Sequence, residues 1–355
     1  MTRRLLWVSL PDQRPRRELW WLSQMPQTHV TALAATRPGG DVEWHPSRYV
    51  RPIRHFVEAG ALAWIRGLSA VTPNFDWVAS LELCSLVTGQ AASYARRHGL
   101  RQAVITWENL ARQPLYYLPP YRQAFRRALD ADMFICLVEA ARQHLLEHGV
   151  DDERISVVVP GVDTSTFRPA ESPVTAPVAV FTSPLAANKG IDTVLRAFAL
   201  VRRSVPEARL LVMGAGPMET LVRRAAADPY SGIELVPPGG PADVADTLRR
   251  GSVFVTAPRA TWKWSEQYGL AYLEAMATGL PIVTTVCGTN AEAVRPPNVR
   301  TANNPEALGT ALTRFLVDEA LRRKVGVDNR ITAVAEHDLA MSCAAMGAAF
   351  AQREQ

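Results

Sequence analysis

The 355-residue chain is predicted to be an α/β protein with two parallel-sheet domains. Short β-rich runs such as "RLLWVSL" and "QAVITW" alternate with segments of helical period such as "YRQAFRRALDA". That alternation implies parallel sheets covered by helices. A chain of this length also exceeds the usual size of one hydrophobic core, so two such domains are expected.

The predicted strands fall into two series. The first contains "RLLWVSL", "HVTALAAT", "DWVASLEL", "QAVITW", "MFICLV" and "ISVVVP". The Pro-rich stretch "FRPAESPVTAP" interrupts the alternation, and a second series follows with "VAVFTS", "RLLVMG", "IELVPP", "VFVTAP" and "PIVTTV". We therefore assign residues 1–168 to a first domain, 169–177 to a linker and 178–339 to a second domain, with a cleft between the two domains.

Composition indicates an ordinary globular protein of the cytoplasm. Hydrophobic residues make up 48% of the chain, yet the longest apolar runs are far short of the roughly 20 residues that a membrane-spanning helix needs. The apolar patch in "MTRRLLWVSLPDQRPRR" is too short for the core of a signal peptide. The four cysteines are widely spaced, which suits reduced thiols better than disulfides or a zinc site.

The positive charge of the chain bears on its partners. The net charge of +5 is carried nearly all by arginine and favours anionic ligands, such as nucleotide phosphates or an acidic membrane, rather than nucleic acid. In "RYVRPIRHFVEAGALAWIRG", Arg48, Arg51 and Arg54 precede an apolar run. This segment either makes a weak peripheral contact with an anionic membrane or forms a solvated helix.

The segment "WSEQYGLAYLEAMATGLPIV" combines two carboxylates with a predicted helix start. A helix of about three turns is expected from Gly269, and Gly279 with the following Leu-Pro is a typical stop. Glu266 precedes this helix, and Glu274 lies inside it at roughly 8 Å from its start. The free N–H groups of the first turn between them form an anion site. This pattern suits a ligand with a diphosphate in the middle and hydroxyl-bearing rings at both ends, which is a nucleotide sugar.

The same segment resembles the signature of retaining glycosyltransferases of family 4, in which two glutamates are separated by seven residues. Four further pieces occur in the family's order: "VVVPGVDTSTFRP", "NKGIDTVLRAF", "RLLVMGAGP" and "CGTNAEAV". The resemblance covers about the last 220 residues well and the first 100 poorly. It implies the GT-B fold, in which two Rossmann-like parallel-sheet domains face a cleft, with a C-terminal helix at about 340–355 that packs back on the first, acceptor-side domain.

The resemblance also implies an activity. The enzyme would be a metal-independent hexosyltransferase-type glycosyltransferase that moves a sugar from a nucleoside-diphosphate donor, bound by the second domain, to a small-molecule or lipid-linked acceptor. The nucleotide sugar is a co-substrate, and no cofactor is expected. The base and sugar of the donor, the acceptor and the oligomeric state do not follow from the sequence.

Site residues follow from the resemblance one by one. Glu274 would accept hydrogen bonds from the ribose hydroxyls, and Glu266 would hold hydroxyls of the donor sugar near the reacting carbon. The amides of Gly269 and Leu270 would bind the distal phosphate, and Lys189 would supply a positive charge. The other residues that the resemblance places in the donor site are Gln267, Tyr268, Gly214 and Gly216. Gly214 and Gly216 either contact the nucleotide directly or form a plain turn at the end of a strand.

The chain departs from the family pattern in its cations. Pro184 stands where the family usually has an Arg, five residues before Lys189. The phosphate site therefore lacks one expected positive charge. Arg259 or Lys263, which both lie just before the signature segment, would replace it.

The first domain departs from the pattern as well. After the first strand it has "SLPDQRPRREL" in place of the family's glycine-rich loop. Where many relatives have a His after the fourth strand, the chain has Trp107, Glu108 and Asn109. Glu108 either activates an acceptor hydroxyl as a catalytic base or caps the segment that follows it.

Two alternative functions stay open. A glycoside hydrolase would use Glu266 and Glu274 as its acid and base, although hydrolysis does not need an anion site beside them. A nucleotide-sugar-binding protein without transfer activity would agree with Pro184 and the missing glycine loop. A metal site is disfavoured, because the histidines lack ligand spacing apart from His144 and His148, which are one helical turn apart.

Overall fold

The chain forms two parallel sheets, each in its own unit of the computed structural model. The structure describes residues 2–9, 17–38, 42–50, 63–110, 114–172, 174–262 and 264–354. One unit contains Met1–Val159 together with Ala340–Gln355, and the other contains Pro160–Leu339. This arrangement confirms the predicted α/β class with two parallel-sheet domains.

The first unit is built on a seven-stranded sheet whose described pairs are all parallel. The strands of this unit are β1 (Arg3–Val8), β2 (Thr28–Ala34), β3 (Glu43–Pro46), β4 (Tyr49–Val50), β5 (Trp64–Ile65), β6 (Trp77–Leu81), β7 (Arg101–Thr106), β8 (Met133–Cys136) and β9 (Ile155–Val157). The sheet has the order β3-β2-β1-β6-β7-β8-β9, and β4 and β5 form a separate antiparallel pair. The strand order therefore reverses between β1 and β6.

Within the described part of this unit, four α-helices lie between the strands, namely α1 (Arg17–Ser23), α2 (Leu86–His98), α3 (Tyr121–Leu129) and α4 (Glu139–Glu147). Helix α2 illustrates how local sequence sets the ends of a helix. The Ser85 hydroxyl accepts a hydrogen bond from the Val87 amide at its start, and Gly99 adopts a left-handed conformation with φ 64° at its end. Both are the residue types that these positions favour.

The second unit has a six-stranded parallel sheet. Its strands are β10 (Val178–Thr182), β11 (Arg209–Met213), β12 (Ile233–Val236), β13 (Val253–Val255), β14 (Ile282–Thr285) and β15 (Val299–Thr301), in the order β12-β11-β10-β13-β14-β15. Its helices are α5 (Ile191–Ser204), α6 (Glu219–Ala226), α7 (Pro241–Arg249), α8 (Leu270–Ala277), α9 (Pro305–Val317) and α10 (Glu319–Glu336). The order reverses between β10 and β13, as in doubly wound nucleotide-binding folds.

Apolar periodicity explains how α5 covers this sheet. Ile191, Val194, Phe198 and Val201 are spaced three or four residues apart and lie in the buried core of the unit. Burying a side chain of the size of Phe198 contributes about 1.5 to 3 kcal/mol. Gly309 of α9 permits close helix packing, because a Cβ there would lie 3.1 Å from the carbonyl oxygen of Ala197.

A final helix, α11 (Leu339–Glu354), returns the chain to the first unit from Ala340 onward. Its Glu354 carboxylate accepts hydrogen bonds from Arg3 at 2.6 and 2.9 Å and from the Trp77 indole at 2.9 Å. The Arg3 guanidinium, together with the Trp77 indole, holds the pKa of Glu354 below its ordinary value. The Phe350 and Trp77 rings pack in a T-shaped arrangement with 5.1 Å between their centroids. The last turn of α11 is therefore fixed to the beginnings of β1 and β6.

The boundary between the units precedes the one drawn on the sequence. The sequence places residues 160–168 in the first domain and residues 169–177 in a linker. In the structure both ranges belong to the second unit. Arg330 of α10 donates to the carbonyl oxygens of Thr164 at 3.0 Å and Phe167 at 2.9 Å, and Arg322 donates to that of Thr175 at 2.8 Å. These arginines hold the segment against α10.

The sequence raised two questions about membranes, namely a spanning helix and a peripheral contact. Within the part of the chain that the structure describes, no helix has both the length and the apolar character needed to cross a membrane. Arg51 and Arg54, which suggested a peripheral contact, lie outside the described residues, as do residues 10–16 of "SLPDQRPRREL".

Candidate functional site

The candidate site lies where the strand order of the second sheet reverses. Strands β10 and β13 are neighbours there, and the loops that follow their carboxyl ends carry Lys189 and Glu266. In open α/β sheets, ligands bind outside the carboxyl ends of the strands at such a switch point. The fold thus brings together two predicted site residues that are 77 positions apart in the chain.

Lys189 and Glu266 form an ion pair. The Lys189 Nζ donates to both carboxylate oxygens of Glu266, at 3.1 and 2.9 Å. The same ammonium lies over the ring of Trp264, 4.4 Å from its centroid, where the negative face of the indole attracts it. The exposed fractions of the two charged side chains are 22% for Lys189 and 9% for Glu266. A cation and a carboxylate are therefore fixed side by side at the edge of the sheet.

The turn that carries Lys189 requires a glycine. Gly190 has φ 69°, and a Cβ at this position would lie 1.7 Å from the carbonyl oxygen of Ala257, which follows β13. In addition, the Arg259 amide donates to the Asn188 carbonyl oxygen at 3.0 Å. The loops after β10 and β13 are thus in direct backbone contact, and this contact sets the position of Lys189 relative to Glu266.

Arg259, one of the two cations expected to replace the missing arginine, is paired with a carboxylate of its own unit. Its guanidinium makes two hydrogen bonds with Asp192 in the first turn of α5, at 3.1 and 2.9 Å. Arg196 also donates to Asp192, at 3.1 Å. Lys263, the other expected replacement, lies outside the described residues.

Glu274 lies in α8, which follows the Glu266 loop. The helix begins after Gly269, whose φ is 79°, and contains eight residues rather than the three turns expected from the sequence. Its end agrees with the predicted stop, because Thr278 forms the C-cap and Gly279 follows in a left-handed conformation. Glu274 is only 6% exposed.

The loop after β14 contacts the backbone of Glu266 and fixes its position. Gly288 has φ 54°, and a Cβ there would lie 2.0 Å from the Glu266 carbonyl oxygen. The Thr289 amide donates to the same oxygen at 3.0 Å, and the Thr289 hydroxyl donates to the carbonyl oxygen of Gln267. The sequence identified "CGTNAEAV" only as a motif in the right order. Its structural role is to hold the backbone of the signature segment.

Two predicted donor-site residues of the signature segment face different surroundings. Gln267 is half-buried, whereas Tyr268 is 5% exposed and its ring packs edge-on against His337, 6.0 Å away. Burial raises the pKa of Tyr268 well above its usual range. The contact with His337 directs the Tyr268 ring into the packed interior of the unit.

Gly214 and Gly216 lie in the turn after β11 and adjoin the loop after β10. A Cβ at Gly214 would lie 2.1 Å from the carbonyl oxygen of Ser183, and one at Gly216 would lie 2.6 Å from that of Leu185. The Leu185 amide donates to the Ala215 carbonyl oxygen at 3.0 Å. These glycines therefore let the two loops approach at the edge where Lys189 lies.

Glu108 belongs to the first unit, where it follows β7. One of its carboxylate oxygens accepts the Leu110 amide at 2.9 Å, and its own amide donates to the Thr106 hydroxyl at 3.1 Å. Burial, and next the charge of Glu108, raise the pKa of Tyr116 well above its usual range. The contact with Leu110 is the capping interaction that the sequence offered as one of two roles.

The two histidines of α4 pack as aromatic rings. His144 is buried against Tyr116 and lies 4.4 Å from the ring of His148. Burial, with a smaller effect of His148, lowers the pKa of His144 to about 4. Among the residues that the structure describes, no three His, Cys, Asp or Glu side chains are grouped so that they could hold a metal ion.

Comparison with known families identifies the second unit. Residues 176–318 match the family described as glycosyl transferases group 1. Residues 176–318 therefore resemble a group 1 glycosyl transferase domain. This match confirms the resemblance recognised in the signature segment, and the matched region contains Lys189, Glu266 and Glu274.

The glycosyl transferase domain also resembles parts of two bacterial enzymes. The chain is 29% identical over 195 residues to a GDP-mannose-dependent monoacylated alpha-(1-6)-phosphatidylinositol monomannoside mannosyltransferase of Corynebacterium glutamicum. It is 34% identical over 197 residues to a D-inositol 3-phosphate glycosyltransferase of Mycobacterium bovis. The matches span 54% and 50% of this chain, and 51% and 39% of the respective relatives.

Solved structures extend the likeness to both units of the chain. Anabaena HepE in complex with UDP superposes with a TM-score of 0.75 at 13% identity and covers 98% of both chains. WaaG, a glycosyltransferase involved in lipopolysaccharide biosynthesis, has a TM-score of 0.71 at 16% identity over 97% of this chain and 98% of its own. The two parallel-sheet units are therefore those of a GT-B fold.

Proposed function

We propose that the protein is a retaining glycosyltransferase that moves a hexose or related sugar from a nucleoside-diphosphate donor to a small-molecule or lipid-linked acceptor. The observation that carries this proposal is the ion pair of Lys189 and Glu266 at the switch point of the second sheet, directly before the start of α8. A cation, a carboxylate and a helix start in this order suit a diphosphate joined to a hydroxyl-bearing sugar.

In the proposed reaction, the bond between the anomeric carbon and the distal phosphate oxygen breaks, and its electrons leave with the nucleoside diphosphate. A bond forms between that carbon and an acceptor hydroxyl oxygen, whose proton passes to a base. The amides of Gly269 and Leu270 and the ammonium of Lys189 stabilise the negative charge that grows on the leaving phosphate. Because these groups are fixed before the reaction, they stabilise the transition state more than the ground state.

The two carboxylates of the second unit have different roles in this proposal. Glu266 accepts hydrogen bonds from the donor sugar, and Glu274 accepts them from the ribose. Glu108 either acts as the base for the acceptor hydroxyl or caps the segment that follows it. The first role requires the acceptor hydroxyl to bind within hydrogen-bond reach of the Glu108 carboxylate. The bond from the Leu110 amide favours the capping role.

The relatives support the substrate classes of this proposal. One is named for GDP-mannose as donor and a phosphatidylinositol mannoside as acceptor, and another for inositol 3-phosphate. HepE was solved with UDP. We therefore propose a UDP- or GDP-linked hexose as donor and a polyol or lipid-linked molecule as acceptor. We also propose that the reaction takes place in the cytoplasm and needs no metal, cofactor or nucleic acid. Any contact with membranes would be weak and peripheral.

A panel of nucleotide sugars tests this proposal. The full chain is incubated with UDP- and GDP-linked hexoses, with and without excess EDTA, and free nucleotide is measured. We expect slow release of nucleotide from one donor by hydrolysis, at the same rate in EDTA, because protein groups replace the metal.

Other outcomes of the panel identify the alternatives. Loss of release in EDTA that magnesium or manganese restores would contradict metal independence. Binding of a nucleotide sugar without release would indicate a non-catalytic binding protein, a possibility that the pairing of Arg259 with Asp192 supports. No binding at all would refute the proposed donor site.

A second prediction concerns Glu274. Replacing it with Gln keeps the shape of the side chain but removes its negative charge. The hydrogen bonds to the ligand are then weaker by roughly 1.5 to 3 kcal/mol in total. We expect the affinity for the free nucleoside diphosphate to fall about tenfold or more in titration calorimetry. The control is Glu306→Gln, which changes an exposed glutamate in the first turn of α9. Equal affinity of Glu274→Gln and the wild type would remove Glu274 from the site.

A further inference from the structure

A closed group of polar side chains lies buried beneath the first turn of α8. It consists of Thr256, Tyr272, Thr284 and Asn290, whose exposed fractions are 6%, 2%, 0% and 0%. The Tyr272 hydroxyl lies 2.9 Å from that of Thr284 and 3.3 Å from that of Thr256, and the two threonine hydroxyls are 3.0 Å apart. The three hydroxyls therefore form a hydrogen-bonded triangle.

This triangle satisfies its own hydrogen-bonding requirement. Three hydroxyls carry three protons, one for each edge of the triangle. The Asn290 side-chain amide donates one proton to the Tyr272 oxygen at 3.5 Å and the other to the Thr285 carbonyl oxygen at 2.8 Å. Buried networks of this kind hold their elements in one arrangement, because any shift leaves a polar group without a partner.

The network joins the elements that surround the proposed donor site. Thr256 directly follows β13, Thr284 belongs to β14, and Asn290 lies in the loop that supports Glu266. Tyr272 connects all three to α8. Its ring also lies directly against the backbone of Gly269, where a Cβ would be 2.3 Å from a ring carbon of Tyr272. The position of this ring therefore sets the position of the Gly269 and Leu270 amides.

We infer that Tyr272 is a positioning residue for the distal phosphate of the donor, acting through the amides that begin α8. This inference rests on the proposed function. Tyr272 is buried and does not touch the ligand itself. Its hydroxyl anchors the helix start to β13, β14 and the loop beneath Glu266, so that the amides meet the phosphate at a fixed distance from the carboxylate.

The test compares two ligands that differ by one phosphate. The Tyr272→Phe variant keeps the ring against Gly269 and loses only the hydroxyl. The affinities of the nucleoside diphosphate and of the corresponding monophosphate, which lacks the distal phosphate, are measured for the wild type and the variant. We expect the diphosphate to bind about tenfold more weakly to the variant, or about 1.4 kcal/mol, and the monophosphate to bind equally well.

Two further variants separate positioning from general stability. Tyr94→Phe removes another buried tyrosine hydroxyl, which donates to the Val71 carbonyl oxygen at 2.9 Å in the first unit, and should leave both affinities unchanged. Thr284→Val, which breaks the same triangle from β14, should reproduce the selective loss. An equal loss for both ligands, or no loss, would overturn the inference. A wild type that binds neither nucleotide would refute the proposed function, and this inference with it.

Discussion

Turnover of the donor falls at least about a hundredfold when Lys189 is replaced with alanine, which corresponds to about 2.7 kcal/mol at the barrier. The ammonium is held by Glu266 and by the face of Trp264 at the edge where the strand order reverses. In the proposed reaction this ammonium stabilises the negative charge that grows on the leaving diphosphate. Steady-state kinetics of nucleotide release measure the loss.

Matched variants show whether the loss is specific to this charge. Lys324→Ala removes an exposed lysine of α10 and should leave turnover unchanged. Arg259→Ala should raise the Michaelis constant for the donor and affect turnover less, because Arg259 is already paired with Asp192. Near-normal turnover and donor affinity in both Lys189→Ala and Arg259→Ala would show that the proposed phosphate site is wrong.

The free energy of unfolding of the second unit falls by about 3 kcal/mol or more in Gly190→Ala. A non-glycine residue in the left-handed conformation costs about 1 to 2 kcal/mol, and forcing an extra carbon into a packed site costs a similar amount or more. The new methyl group would lie 1.7 Å from the Ala257 carbonyl oxygen, so the loops after β10 and β13 must separate. Urea unfolding followed by circular dichroism measures the change.

Gly279→Ala is the control for the backbone strain alone. Gly279 has φ 78°, close to the 69° of Gly190, but the nearest atom to its added carbon would be a side-chain carbon of Pro169 at 3.3 Å. We expect this variant to lose about 1 to 2 kcal/mol. If the two variants were equally stable, the contact between the loops after β10 and β13 would contribute nothing to the free energy of unfolding.

Strands with continuous apolar runs could be predicted from the sequence, whereas two short edge strands could not. The runs that became β10, β11, β13 and β14 are almost continuously buried, which leaves a clear signal. The sequence did not identify β3 and β15, at the edges of the two sheets. They have three or four residues that are only partly buried and carry charged side chains, so no hydrophobic period marks them.

The candidate site likewise contains residues that the sequence could predict and contacts that it could not. Local motifs indicated Lys189, Glu266 and the glycine at the start of α8, because turn and helix-end chemistry depends on neighbouring residues. The pairing of Arg259 with Asp192, 67 positions away, depends on how α5 packs beside the end of β13. Tyr272 likewise appears in the sequence only as one more apolar position of a short helix. Its hydroxyl partners come from two strands and a loop that only the tertiary fold assembles.

The packing of α11 against the first unit affects the order in which the two units fold during translation. Residues 160–339 form the second unit without interruption, whereas the first unit receives its last helix only after them. During synthesis the second unit is therefore complete before the first. Until Glu354 emerges, Arg3 and the Trp77 indole lack the carboxylate that joins them, and the start of the first sheet lacks the helix that covers it. The nascent first sheet must stay soluble for the whole time that a ribosome needs to translate an inserted domain.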